Sequence, residues 1–92
     1  MENGLFIFRG QVMYYDYEWI DNDTFSFYFG DGWFVDDYGD DYFIDVEYCV
    51  EADKFTFEAI FKHDCCFVTE EHLSESEMEE IKKFIKTLVA EE

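Results

Sequence analysis

The chain has 92 residues and a mass of 11.2 kDa, with 24 Asp and Glu against six Lys and Arg, for a formal net charge of −18. A balance this acidic excludes a surface that attracts nucleic acid or anionic lipid, and it points to a basic partner. It does not mean disorder: acidic disordered chains are poor in aromatics, whereas 23% of these residues are Phe, Tyr or Trp.

The opening "MENGLFIFRG" places an acid before a short apolar run and offers no basic leader or small-residue cleavage site, so it reads as a strand and not as a signal peptide. No apolar run approaches the roughly 20 residues of a membrane span. Cys49, Cys65 and Cys66 are odd in number and lack disulfide spacing, which fits a reducing compartment. These features predict a soluble, cytoplasmic protein.

Aromatic and β-branched runs at 4–9, 11–20, 24–29, 33–35, 41–50, 54–62 and 65–69 read as strands. Turn residues separate them: "DND" at 21–23, "GDG" at 30–32, "DDYGDD" at 36–41 and "EAD" at 51–53. Alternation in 11–20 puts Met13, Tyr15, Tyr17 and Trp19 on one face and Val12, Tyr14, Asp16, Glu18 and Ile20 on the other. In 42–50 it opposes Tyr42, Ile44, Val46, Tyr48 and Val50 to Phe43, Asp45, Glu47 and Cys49. The first set of each strand is expected in the core, along with most of Phe25, Phe27, Phe29, Phe55, Phe57 and Phe61. Tyr14, Tyr38 and the turn at Trp33 are expected at the surface.

The period changes at the end of the chain. Ser74 and Glu77 form a capping box, Leu73 can staple onto Met78, and Met78, Ile81, Ile85 and Leu88, widened by Phe84 and Val89, make one helical face. Glu79 and Lys83 stand in the favourable i,i+4 order. The chain therefore predicts one α+β domain over 1–92, a curved antiparallel meander of about four to six strands with one C-terminal helix, 75–90, packed on one face.

The strongest functional signal is charge. Residues 10–53 contain no Lys or Arg and hold 13 acids, and residues 29–48 alone carry six Asp and one Glu. Carboxylates at i and i+2 of a strand project to one side about 6.7 Å apart, an interval of about two phosphates at about 3.4 Å per charge along each strand of a duplex. A sheet so charged can occupy a groove built for nucleic acid. The expected contact residues are Asp16, Glu18, Asp31, Asp36, Asp37, Tyr38, Asp40, Asp41, Asp45 and Glu47. A merely solvating acidic surface is the alternative, although far less charge would suffice for solubility and this much repels itself in the compact state.

The small size, the acidity, the aromatic meander with one helix and the run "DDYGDDYFIDVE" resemble the phage-encoded inhibitors of host defence, anti-CRISPR proteins and other DNA mimics among them, and more loosely the nuclease-immunity proteins. The likeness is one of class and carries no residue-by-residue motif. It implies inhibition by steric and electrostatic occupation of a nuclease or CRISPR effector, without catalysis, cofactor or direct nucleic-acid binding. A homodimer or structural interaction module is the alternative.

Other chemistries fit less well. "DNDTF" at 21–25 starts like an EF-hand loop, but Phe25 holds the fifth position and the glycine is missing. "DDYGDD" could gather oxygens around Gly39. "KHDCCF" groups His63, Cys65 and Cys66, yet adjacent cysteines do not form the usual zinc knuckle, and an acidic chain does not activate a thiol, so these cysteines are expected to be half-buried strand residues. Paired acids for glycoside hydrolysis would need a substrate cleft that 92 residues leave little room for.

Overall fold

A computed structural model describes residues 2–35, 38–39, 41–62 and 64–91. Six strands follow one another in space as in sequence, every neighbouring pair antiparallel: β1 (Glu2–Phe8), β2 (Gln11–Trp19), β3 (Thr24–Val35), β4 (Asp41–Cys49), β5 (Lys54–Phe61) and β6 (Cys65–Phe67). The helix α1 (Glu75–Glu91) closes one face. The predicted α+β meander with a C-terminal helix is the observed fold.

Local chemistry sets each connection. β1 turns into β2 through Arg9 and Gly10, both with positive φ (53° and 74°), the backbone of a tight hairpin whose twist matches its strands. Between β2 and β3 the Asp21 carboxylate accepts the amides of Asp23 and Thr24, both at 2.8 Å. The "DND" acids therefore serve the turn, as Asx residues do. At the β4–β5 turn the Tyr48 hydroxyl donates to Asp53 at 2.9 Å, and Asp53 also pairs with Lys86 of the helix at 3.3 Å.

The core lies between α1 and one face of the sheet. Phe25, Phe27, Ile44 and Val46 from the strands are fully buried against Ile81 and Ile85 from the helix and Leu73 just before it. Phe84 stacks on Phe6 at 5.1 Å and meets Tyr15 and Phe27 edge-on. Phe55, Phe57 and Phe61 pack against this cluster while half-buried, as do Met78 and Val89. The helix begins as its sequence dictates: the Glu77 amide donates to Ser74 Oγ (3.2 Å) and the Ser74 amide to Glu77 Oε1 (2.9 Å), closing the capping box.

Arg9 ties the first turn to that cap. Its guanidinium bonds both Glu77 carboxylate oxygens and the His72 carbonyl (2.7 Å), and it lies 5.2 Å from the ring centroids of Phe8 and Phe34. A side chain that reads in sequence as the border of an acidic run is thus the clamp between the β1–β2 turn and α1.

Four expectations need correction. "GDG" does not end a strand: β3 runs through it, with Phe29 opposite Ile44 and Phe34 opposite Tyr42, so that residues 30–33 bulge against Phe43 alone. Gly30 takes φ 106°, and a Cβ there would strike the Phe34 ring, which is buried and stacked on Tyr42 at 5.1 Å. Core packing of Phe34 restores the ladder that the glycines interrupt. Trp19 and Val50 are exposed at strand ends although they belong to the core-side sets. Glu79 pairs with Lys82 at 3.3 Å, one residue short of the expected Lys83. Cys65 and Cys66 are exposed on the short edge strand β6, and only Cys49 is half-buried.

Candidate functional site

The face of the sheet away from α1 carries a cluster of acids. Pleating sends Asp16 and Glu18 of β2, Ser26 and Tyr28 of β3, Asp45 and Glu47 of β4, and Thr56 and Glu58 of β5 to that side, and the register aligns them in two rows. One row reads Asp16, Tyr28, Asp45, Glu58 across the strands; the next reads Glu18, Ser26, Glu47, Thr56. Opposed side chains in such rows stand about 5 Å apart. Five carboxylates thus share a patch four strands wide, with Asp45 directly opposite Glu58.

The predicted contact residues divide accordingly. Asp16, Glu18, Asp45 and Glu47 are brought together as expected. Asp41 opens β4 on the same face, two alternations from Asp45. Tyr38, in the β3–β4 connection, is 91% exposed. Asp31 lies in the bulge of β3, where its backbone alone is described, and Asp36, Asp37 and Asp40 lie outside the described residues, as does His63. Glu58, opposite Asp45, joins them, although the aromatic run of β5 hides it in the sequence. The signal was present: Thr56, Glu58 and Ile60 alternate with the core-facing Phe55, Phe57, Ala59 and Phe61.

The face is electrostatically loaded. The Asp45 carboxyl is held above its ordinary range, first by burial and then by Glu47 and Glu58, while the Ser26 hydroxyl at 3.5 Å opposes the shift. Tyr28 is raised as well, by burial, by the charge of Asp16 and its hydrogen bond to that carboxylate, and by Glu18 and Asp45. Among the described residues no ion pair reaches these acids. Three of the six basic side chains are engaged on the other side, Arg9 with Glu77, Lys82 with Glu79 and Lys86 with Asp53, and Lys82 and Lys86 both lie over the Phe55 ring. Lys54, at the end of β5 opposite Cys49, stands at the rim of the face.

These shifts predict an unusual pH profile. Glu77, held by Arg9 first and raised somewhat by burial in opposition, titrates at about 2 instead of 4.5, so its contribution is complete above pH 4.5 and is lost as pH falls towards 2. Asp21 and Asp53 are also lowered and act in the same sense. Asp45 acts oppositely: its ionised form is disfavoured in the fold, so stability is gained as pH falls through its raised titration. Thermal melts from pH 8 to 3 are expected to rise as pH falls through the raised titration of Asp45 and to decline as Glu77, Asp21 and Asp53 take up protons. The rise should shrink in Asp45→Asn. A monotonic fall from pH 8 would show that the open face is not strained.

Catalytic and metal readings gain no support. Among the described residues no cluster of His, Cys, Asp and Glu is arranged to hold a metal ion. The Cys66 thiol is pushed up, by desolvation first and then by Asp64 and Cys65, the wrong direction for a nucleophile. His72 is engaged as a cap, its Nδ1 accepting the Thr69 amide at 3.1 Å. Among the described residues no helix is long and apolar enough to cross a membrane.

Fold and site together define a small α+β meander with a segregated acidic face. Comparison with protein-family models, with curated proteins and with solved structures finds no match to this chain.

Proposed function

We propose that the protein is a non-enzymatic inhibitor whose acidic sheet face occupies the basic nucleic-acid channel of a nuclease or CRISPR effector, in the cytoplasm of the cell that makes the target. The observation behind this is segregation. Five carboxylates are gathered on one face, two of them directly opposed at a cost in stability, while Arg9, Lys82 and Lys86 pair with acids away from that face and Lys54 stands at its rim. Solubility needs charge but no such separation. The spacing, about 6.7 Å along strands and about 5 Å across them, presents negative groups at intervals that Lys and Arg of a phosphate-binding channel can meet.

Immobilised protein incubated with cell lysate is expected to retain nucleic-acid enzymes, to release them when DNA or RNA is added, and to shift no nucleic acid by itself. Capture that added DNA and RNA leave intact would remove the mimic reading.

A second reading, a homo-oligomeric module, has its own observation. β1 is a free edge of the sheet, and Leu5, Ile7, Val12 and Tyr14 lie exposed beside it on the open face, aligned as Leu5 opposite Tyr14 and Ile7 opposite Val12. Exposed apolar edges of this kind pair readily. Light scattering distinguishes the two: a dimer that Ile7→Glu dissociates, with no capture of nucleic-acid enzymes, favours the second.

A further inference from the structure

The acidic rows border a recess at the β3 bulge. It has a volume of about 220 Å³ and is lined by Tyr14, Asp16, Tyr28, Phe29, Gly30 and Phe43. This is below the roughly 300–1,000 Å³ of small-molecule sites, and it is nearer the size of one side-chain head. Gly30 contributes bare backbone to its wall, the space a side chain there would take being filled by the Phe34 ring. The Tyr28 and Phe43 rings stand 5.9 Å apart with planes tilted by 53°, and Tyr14 is 75% exposed at the mouth. Asp16 lies two residues beyond Tyr14 on the same face, and Asp45 two beyond Phe43. Aromatic side chains thus make up most of the lining, and Asp16 supplies its one carboxylate.

We propose that this recess receives the guanidinium group of an arginine from the basic partner, stacked among Tyr14, Tyr28 and Phe43 and forked onto the Asp16 carboxylate. The inference rests on the acidic-face reading and names its central contact. Several observations favour this occupant. An anion is repelled by the surrounding acids, and an apolar side chain would strip water from Asp16 with nothing in return. A hard metal ion needs six or more oxygens, which an aromatic lining does not offer. A guanidinium suits both the rings and the carboxylate, since it is planar enough to stack on rings and carries paired donors for a carboxylate, whereas an ammonium is a compact, strongly hydrated point charge. The chain already uses this chemistry once: Arg9 lies 5.2 Å from both the Phe8 and Phe34 rings while forked onto Glu77.

The test is NMR titration of the ¹⁵N-labelled protein with two peptides of equal charge, one alternating Gly with Arg and the other Gly with Lys. The Arg peptide is expected to bind about tenfold more tightly, with the largest shifts at the amides of Tyr14, Asp16, Gly30 and Phe43. Tyr14→Ala and Phe43→Leu should abolish that preference and leave Lys-peptide affinity unchanged. Asp45→Asn with Glu47→Gln should weaken both peptides alike. If Phe43→Leu fails to fold, Tyr14→Ala decides, because Tyr14 is exposed. Equal binding of the two peptides, or an Arg preference that survives Tyr14→Ala, overturns the recess as an arginine site while leaving the acidic face standing. Binding of neither peptide overturns the acidic face and the recess together.

Discussion

Ile85→Asp is expected to abolish cooperative folding. Ile85 is fully buried at the centre of the face that α1 turns to the sheet, in one cluster with Phe27, Ile44 and Ile81. The substitution removes a side chain whose truncation alone costs about 2–5 kcal/mol, and it buries a carboxylate with no basic partner in that cluster, which adds several kcal/mol more. A domain of this size has only about 5–15 kcal/mol to lose, and this one already opposes its own net charge of −18. Near-UV circular dichroism should lose the signal of the packed aromatics at 25 °C, and the thermal transition should vanish. Ser76→Asp, an equal charge on the exposed first turn of the helix, should change stability by less than about 0.5 kcal/mol. A normal melt for Ile85→Asp would refute the packing of helix on sheet.

Much of this architecture is legible in the sequence because its signals are local. The capping box at Ser74 and Glu77 lies within one turn, and the period-2 alternation of 42–48 names its own core face. What is illegible depends on partners distant in sequence. Arg9 and Glu77 are 68 residues apart, and nothing near Arg9 announces that its turn will meet the start of the helix. The bulge at 30–33 reads as a turn because its glycines are locally those of a turn; only the burial of Phe34 against Tyr42 shows that the strand resumes. The same limit applies to the candidate site. Asp16 and Glu18, like Asp45 and Glu47, could be assigned to a face from their own strands. That Tyr28 stands between Asp16 and Asp45, and that Glu58 confronts Asp45, follows from register, which no single strand contains.

Neutralising the open face is expected to strengthen the fold and weaken the function. Asp16→Asn, Asp45→Asn, Glu47→Gln and Glu58→Gln keep size and hydrogen-bonding shape while removing four charges from the two rows. Relief of the Asp45–Glu58 opposition and of the burial of charged Asp45 should stabilise the domain by on the order of 1 kcal/mol, roughly a 5 °C rise in Tm for a chain of this length. Affinity for the basic target should fall by roughly 2–4 kcal/mol if each charge meets one cation at about 0.5–1 kcal/mol, and association should slow and lose part of its salt dependence. The informative control removes four charges elsewhere: Glu51, Glu70, Glu71 and Glu91 to Gln are all exposed off this face and should leave target affinity within a few-fold of the parent. A third set, Asp36, Asp37, Asp40 and Asp41 to Asn, asks whether the β3–β4 connection extends the contact towards Tyr38. Equal losses from the face and control sets would mean that total charge, and no particular surface, attracts the target. Undiminished inhibition by the face variant, with the parent's salt dependence, would show that the acids of this sheet do not stand in for phosphates.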